Sequence, residues 1–166
     1  MKGFNDIIFR FTADVRLRYF QYKIINNVLF LNKQLFKMKI VNCENCSFCG
    51  KETEDIVHFL YKCKFSQEIW SKTMGWIFDC SQICVIFSME NILFGFQEQR
   101  NDALNCILIV IKYQLFWFKL NGKLPSFEMV KQKVIQYHND EKYVFNVSGK
   151  QEKFHKKWLM LQALFS

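Results

Sequence analysis

The chain has 166 residues, 51% apolar and 17% aromatic, with one proline and a net charge of +8, which excludes a disordered chain and leaves one compact domain as the expectation. A domain of this length removes roughly 70% of its unfolded surface from water, enough for a core without covalent staples. The charge is uneven: residues 1–42 hold eight basic and two acidic groups, 43–99 four and eight, and 100–166 eleven and five. Two basic ends suit a polyanion, although basic helices are often plain solvated faces.

Few chain breakers and apolar residues at three- and four-residue spacing predict a mainly α fold, and Cys46, Cys49, His58 and Cys63, a CCHC-type set of metal donors, place a small zinc-binding unit between the helices of that domain. From Arg16 to Asn27, Leu17, Phe20, Ile24 and Val28 form one apolar stripe, with Arg16, Lys23 and Asn27 on another face. Asn32 is expected to cap a short helix through Leu35 and Phe36, with Lys37 and Lys39 at its C-terminal end. Thr53 is expected to cap a helix carrying Ile56, Val57, His58, Phe59 and Leu60. Ile69, Trp70, Met74 and Ile77 predict a further helix, and 79–99 reads as connection with short structure.

Residues 100–120 predict a long buried helix ending at Asn121-Gly122. Asn105, Lys112, Gln114 and Lys119 interrupt its apolar run, so it reads as a core helix and no membrane partner is expected. Phe127, Val130, Val134 and Tyr137 stripe the next helix, with Lys131 and Lys133 turned away. Periodicity does not decide between strand and helix for 143–147. Ser148-x-x-Gln151 has the form of a capping box opening a last helix, with Phe154, Trp158 and Leu161 inward and Lys150, Lys153 and Lys157 toward solvent. The expected organisation is a basic helical segment over 1–42, a zinc unit over 43–78 and a helical tail over 79–166, packed together.

Seven cysteines, an odd number, follow a start, Met1-Lys2-Gly3-Phe4-Asn5-Asp6, that lacks the apolar run of a secretory leader. Reduced thiols and an intracellular setting, cytoplasm or nucleus, are expected, with metal ligation ahead of disulfides. Cys46, Cys49, His58 and Cys63 spell C-x2-C-x8-H-x4-C, the donor set of one tetrahedral structural Zn2+ with no open position for catalysis. Gly50 can take positive φ and let backbone N–H groups face the sulfurs. On an ideal α-helix His58 and Cys63 stand about 140° apart, so Cys63 is expected where the helix unwinds. Two alternatives stay open: Cys43 replaces Cys46 or Cys63 as ligand, or these are buried thiols beside an ordinary histidine. Cys80, Cys84 and Cys106 are expected to be buried and inert, His138 and His155 to face solvent, and the four tryptophans to pack.

The run Leu17-Arg18-Tyr19-Phe20-Gln21-Tyr22-Lys23-Ile24-Ile25, then Cys46-Ser47-Phe48-Cys49-Gly50, then Glu54 through Cys63 and Trp70, resembles the zinc-binding region at the C-terminal end of non-LTR retrotransposon reverse transcriptase polyproteins. The likeness is strongest over 16–78. A weaker one, through Asn91 to Gly95, Pro125 to Glu128 and Lys157-Trp158, extends into the tail of those polyproteins. The resemblance implies that Cys46, Cys49, His58 and Cys63 are the ligands and that the region helps hold template RNA or target DNA near the polymerase; Cys43 is an addition to the usual pattern.

No adjacent Asp-Asp occurs, Asp6 and Asp14 are lone acids, and neither a phosphate-binding loop nor a catalytic triad pattern is present, so the chain by itself is expected not to be an enzyme. The leading expectation is binding to RNA or DNA phosphates through Arg16, Lys23, Lys37, Lys39, Lys150, Lys153, Lys156 and Lys157. The competing expectations are a protein-interaction fragment that packs on a reverse transcriptase core or another partner, and the remnant of a decayed element with no present role.

Overall fold

The computed structural model describes residues 11–166; the reading of residues 1–6, the acid Asp6 and the first ten residues of the 1–42 segment lie outside the described residues. The described elements are helices joined by loops, in chain order α1 (Val15–Ile25), α2 (Asn32–Lys37), a π turn (His58–Lys62), α3 (Lys64–Ser81), α4 (Met89–Phe94), α5 (Asp102–Leu120), α6 (Phe127–Val147) and α7 (Gln151–Trp158). A 3-10 turn leads into α5, and another (Leu159–Phe165) follows α7. The described residues form no strand, only one isolated antiparallel bridge between Asn45 and Thr53.

α5 is the axis of the fold. Its apolar residues run almost all round, so it is stable only when covered on most sides, and α1, α6 and α7 pack against it. Cys106, Ile107, Ile111 and Leu115 are fully buried. The helix is long and apolar enough to cross a membrane by length and composition, but 72% of that window is buried inside the fold. It ends where expected, with Gly122 at φ 59°. α3 lies against α6 and the 159–165 turn, where Trp76 meets Phe127 and Phe165 edge to face. Trp70, Trp76 and Trp158 are buried and Trp117 is half-buried.

Several local expectations are corrected. α1 stops at Ile25 because Asn27 turns left-handed at φ 54°, which takes Val28 off the stripe and leaves it exposed. Asp14 caps α1 by accepting from Arg16 N at 2.8 Å. Asn32 is the first residue of α2 rather than its cap, because its amide donates to Asn45 O instead. Thr53 donates to Glu44, and Asp55 accepts from His58 N at 2.9 Å in the capping role expected of Thr53. Residues 143–147 continue α6 as helix. Ser148 closes that helix by donating to Val144 O at 2.7 Å, so it does not open the next one, and Lys150 stands at the start of α7 without a side-chain cap.

Cys106 is buried as expected, whereas Cys80 and Cys84 are exposed. Burial pushes the Cys106 thiol up to about 12, which keeps it protonated and inert. His138 is buried, not solvent-facing, and its ring stacks on Phe165 with centroids 3.8 Å apart; His155 is exposed. Burial also holds His138 below its ordinary pKa.

Candidate metal centre

The four residues singled out by spacing come together. Cys46 Sγ, Cys49 Sγ, Cys63 Sγ and a ring nitrogen of His58 all lie within 4.8 Å of one another. Cys46, His58 and Cys63 are buried, and Cys49, half-buried, closes the solvent side. Cys43 is exposed and outside the group; its sulfur accepts from Asn45 N at 3.3 Å.

Each pair is positioned by local backbone. Cys46 and Cys49 sit on a tight turn in which Gly50 N donates to Cys46 O at 2.8 Å and Gly50 adopts φ 68°, a conformation that strains a residue with Cβ. The returning segment is held by Cys46 N donating to Glu52 O and Glu54 N to Glu44 O, both at 2.8 Å. His58 and Cys63 belong to a π turn closed by Cys63 N donating to His58 O at 2.7 Å. This i to i−5 bond answers the angular problem of the five-residue spacing, because residues five apart face each other across a π turn where an α-helix separates them. Cys63 itself is extended, at φ −60° and ψ 129°, between the π turn and α3.

The donor chemistry fits zinc. Around a tetrahedral ion with Zn–S near 2.3 Å, sulfurs stand roughly 3.8 Å apart and a sulfur and an imidazole nitrogen roughly 3.6 Å. The structure has Cys46 Sγ and Cys63 Sγ at 3.8 Å and Cys49 Sγ and His58 Nε2 at 3.3 Å. His58 Nδ1 lies 3.1 Å from Glu52 Oε2, so with the proton on Nδ1 the lone pair of Nε2 points into the cluster.

The electrostatics favour thiolate at Cys49 and Cys63. The Cys46 contact, joined by the N–H groups of Phe65 and Ser66 at the start of α3, holds Cys63 below its usual range against the opposing effect of burial. Burial opposes ionisation of Cys49, but the backbone N–H groups of Lys51 and Glu52 and the His58 contact prevail. Cys46 is pushed up by its bond to Cys63 and by burial, as befits the proton-bearing member of a crowded thiol group. Burial works against the His58 imidazolium, yet the neighbouring sulfurs raise its pKa. Backbone N–H groups face Cys46 and Cys49 within the turn that Gly50 closes, as expected, and face Cys63 from the start of α3.

Sequence reasoning missed the residue that fastens this unit to the rest of the fold. Glu54 is fully buried; its Oε2 accepts from Ser47 N at 2.6 Å, and its Oε1 from Asn32 N at 2.9 Å and Lys119 Nζ at 2.7 Å. Lys119 also donates to Asn32 Oδ1 and Ser47 Oγ, at 2.7 and 2.8 Å. One carboxylate thus ties the cysteine turn, the start of α2 and the end of α5. The sequence signal was Lys119 itself, a cation near the end of an otherwise apolar helix.

The basic residues expected to meet phosphates separate into two groups. Lys37, Lys39, Lys150, Lys153 and Lys156 are exposed, with no acidic partner among the described residues. The other three are engaged. Arg16 pairs with Asp14 at 2.9 Å, and Lys23 Nζ sits 4.5 Å from the centre of the Tyr19 ring. Lys157, expected at the surface, instead points inward, donating to Glu141 at 2.7 Å and to Phe11 O at 2.9 Å, because Glu141 is itself buried on α6.

Fold and cluster together define a helical protein with a Cys3His unit able to hold one zinc ion. Residues 2–70 match the family model described as zinc-binding in reverse transcriptase, and this stretch contains all four clustered residues. The similarity to that family covers this stretch, and the match takes in no polymerase catalytic domain. No curated protein and no solved structure matches the chain.

Proposed function

We propose that the protein is a non-enzymatic, zinc-stabilised nucleic-acid-binding region of non-LTR retrotransposon type, with Cys46, Cys49, His58 and Cys63 as the ligands of one structural ion. It holds template RNA or target DNA, inside the cell, through backbone phosphates. The observation that carries this reading is the set of exposed, acid-free lysines on both sides of the metal unit in sequence, Lys37 and Lys39 before it and Lys150, Lys153 and Lys156 after it, in a chain whose 2–70 stretch matches a reverse transcriptase zinc-binding region. Lys157 leaves the phosphate-tracking set because it points inward onto Glu141, while Arg16 and Lys23 stay accessible on α1 and are set apart from the open lysines by their contacts with Asp14 and Tyr19.

Fluorescence anisotropy with labelled RNA and duplex DNA tests it. Log Kd should rise with log salt by about 0.9 for each phosphate contacted on duplex, and Ala at the five lysines should flatten that slope. Binding that is absent at low salt, or insensitive to salt, rejects it. A second reading, attachment to a protein such as a polymerase core, draws support from the exposed apolar row Phe30, Phe36, Met38 and Ile40, which alternates with lysines around α2. It predicts self-association of the isolated chain and no affinity for nucleic acid.

A further inference from the structure

Between α1 and α5 runs a groove of about 270 Å³ whose walls are mostly aromatic: Tyr19 and Phe20 from α1, Tyr113, Phe116 and Trp117 from α5. Arg16 and Lys23 stand on its rim, and among the described residues no acidic side chain lines it. Asp14, the partner of Arg16, lies in the larger adjoining cleft of about 920 Å³, which shares Arg16, Tyr113 and Trp117 with the groove. Tyr113 is exposed yet fixed, because Phe20 meets it edge to face at 5.3 Å. Lys123 Nζ lies 5.4 Å from the Trp117 ring.

Rings held in place and bordered by cations match what a single strand presents, π faces joined by phosphates. A duplex keeps its base faces stacked inside and cannot offer them to a recessed ring. We propose that this groove takes unpaired bases, with Tyr113 as the main stacking platform and Arg16 and Lys23 meeting the flanking phosphates. The inference rests on the nucleic-acid reading above and narrows it to single-stranded substrate at this place. It also gives Arg16 and Lys23 a task distinct from that of the open lysines.

The test measures anisotropy of the full, zinc-loaded chain with an unstructured 15-nucleotide RNA, and with a duplex of the same length, for wild type, Tyr113→Ala, Tyr113→Phe and Lys153→Ala. Expected are roughly tenfold weaker single-strand binding in Tyr113→Ala, near-complete rescue in Tyr113→Phe, and duplex binding unchanged within about twofold in both. Lys153→Ala should weaken both substrates alike. If wild type binds both substrates and Tyr113→Ala leaves single-strand binding intact, or weakens both equally, the groove assignment is wrong while the phosphate-binding reading stands. If wild type binds neither substrate at low salt, both fail, and a groove that then captures a protein partner belongs to the interaction reading.

Discussion

The metal unit over 43–63 and the helical half over 102–165 solve the same problem with different means. In the helical half, order comes from apolar burial: α5 is covered by α1, α6 and α7, and the aromatic cluster of His138, Phe154, Trp158 and Phe165 closes one end. The metal unit adds fewer large apolar side chains to the core, chiefly Phe48 and Phe59, stacked at 5.2 Å, and Leu60, and relies on a ligand cage and a turn held by two backbone hydrogen bonds. Two buried Glu–Lys pairs complete the structure, both at 2.7 Å: Glu141–Lys157 lies within the helical half, and Glu54–Lys119 joins the metal unit to it. A short segment without a core of its own borrows stability from a cation, and a buried carboxylate sets where it docks.

The comparison breaks most visibly on metal removal. Structural zinc contributes on the order of 10 kcal/mol, so chelation should abolish hydrogen-exchange protection over 44–63 while amides of 104–118 stay protected. Loss of protection throughout would show that the helical half depends on the ion as well. Next in size, Glu54→Ala strands the buried Lys119 ammonium and should cost about 3–5 kcal/mol in denaturant unfolding, with weakened zinc retention. Glu141→Ala should cost a similar amount and leave zinc retention unchanged. Equal zinc loss in both would remove the special docking role of Glu54.

How much of this was legible beforehand follows from the kind of interaction involved. The helices with strong periodicity, α3 and α5, and the ligand spacing were readable because both depend on residues near each other in sequence. The caps were not. Asn32, Thr53 and Ser148 each have the right chemistry for a helix start, but tertiary partners, Asn45 O for Asn32 and Glu44 for Thr53, claimed two of them, and Ser148 turned back onto the preceding helix. Lys157 looked like a solvent residue because its buried partner Glu141 lies 16 positions away on a different helix. His138 needed Phe165 for its place, and Glu52 became visible only once the π turn had oriented His58.

Two smaller effects sharpen the contrast from the helical side. Ile107→Ala, at a fully buried position of α5, should cost about 2–5 kcal/mol while zinc content stays at wild-type level. Lys112 is buried with Gln21 Oε1 as its partner at 2.5 Å, and burial lowers its pKa from 10.5 to about 7. The unfolded chain then binds a proton that the folded chain releases between pH 7 and 10.5, so this residue makes stability rise with pH across that window. Lys112→Met should be the more stable protein at pH 7, on the order of 2 kcal/mol, with the difference shrinking toward pH 10.5. A difference independent of pH would mean that Lys112 keeps its charge in the fold.

Native mass spectrometry of the purified chain, beside Cys49→Ser and His58→Ala, tests the cage most directly. The account predicts one zinc per wild-type chain, and its loss from both variants together with part of the helical circular dichroism. A wild-type chain that carries no metal and keeps its full helical signal, or variants that retain one zinc each, would contradict it.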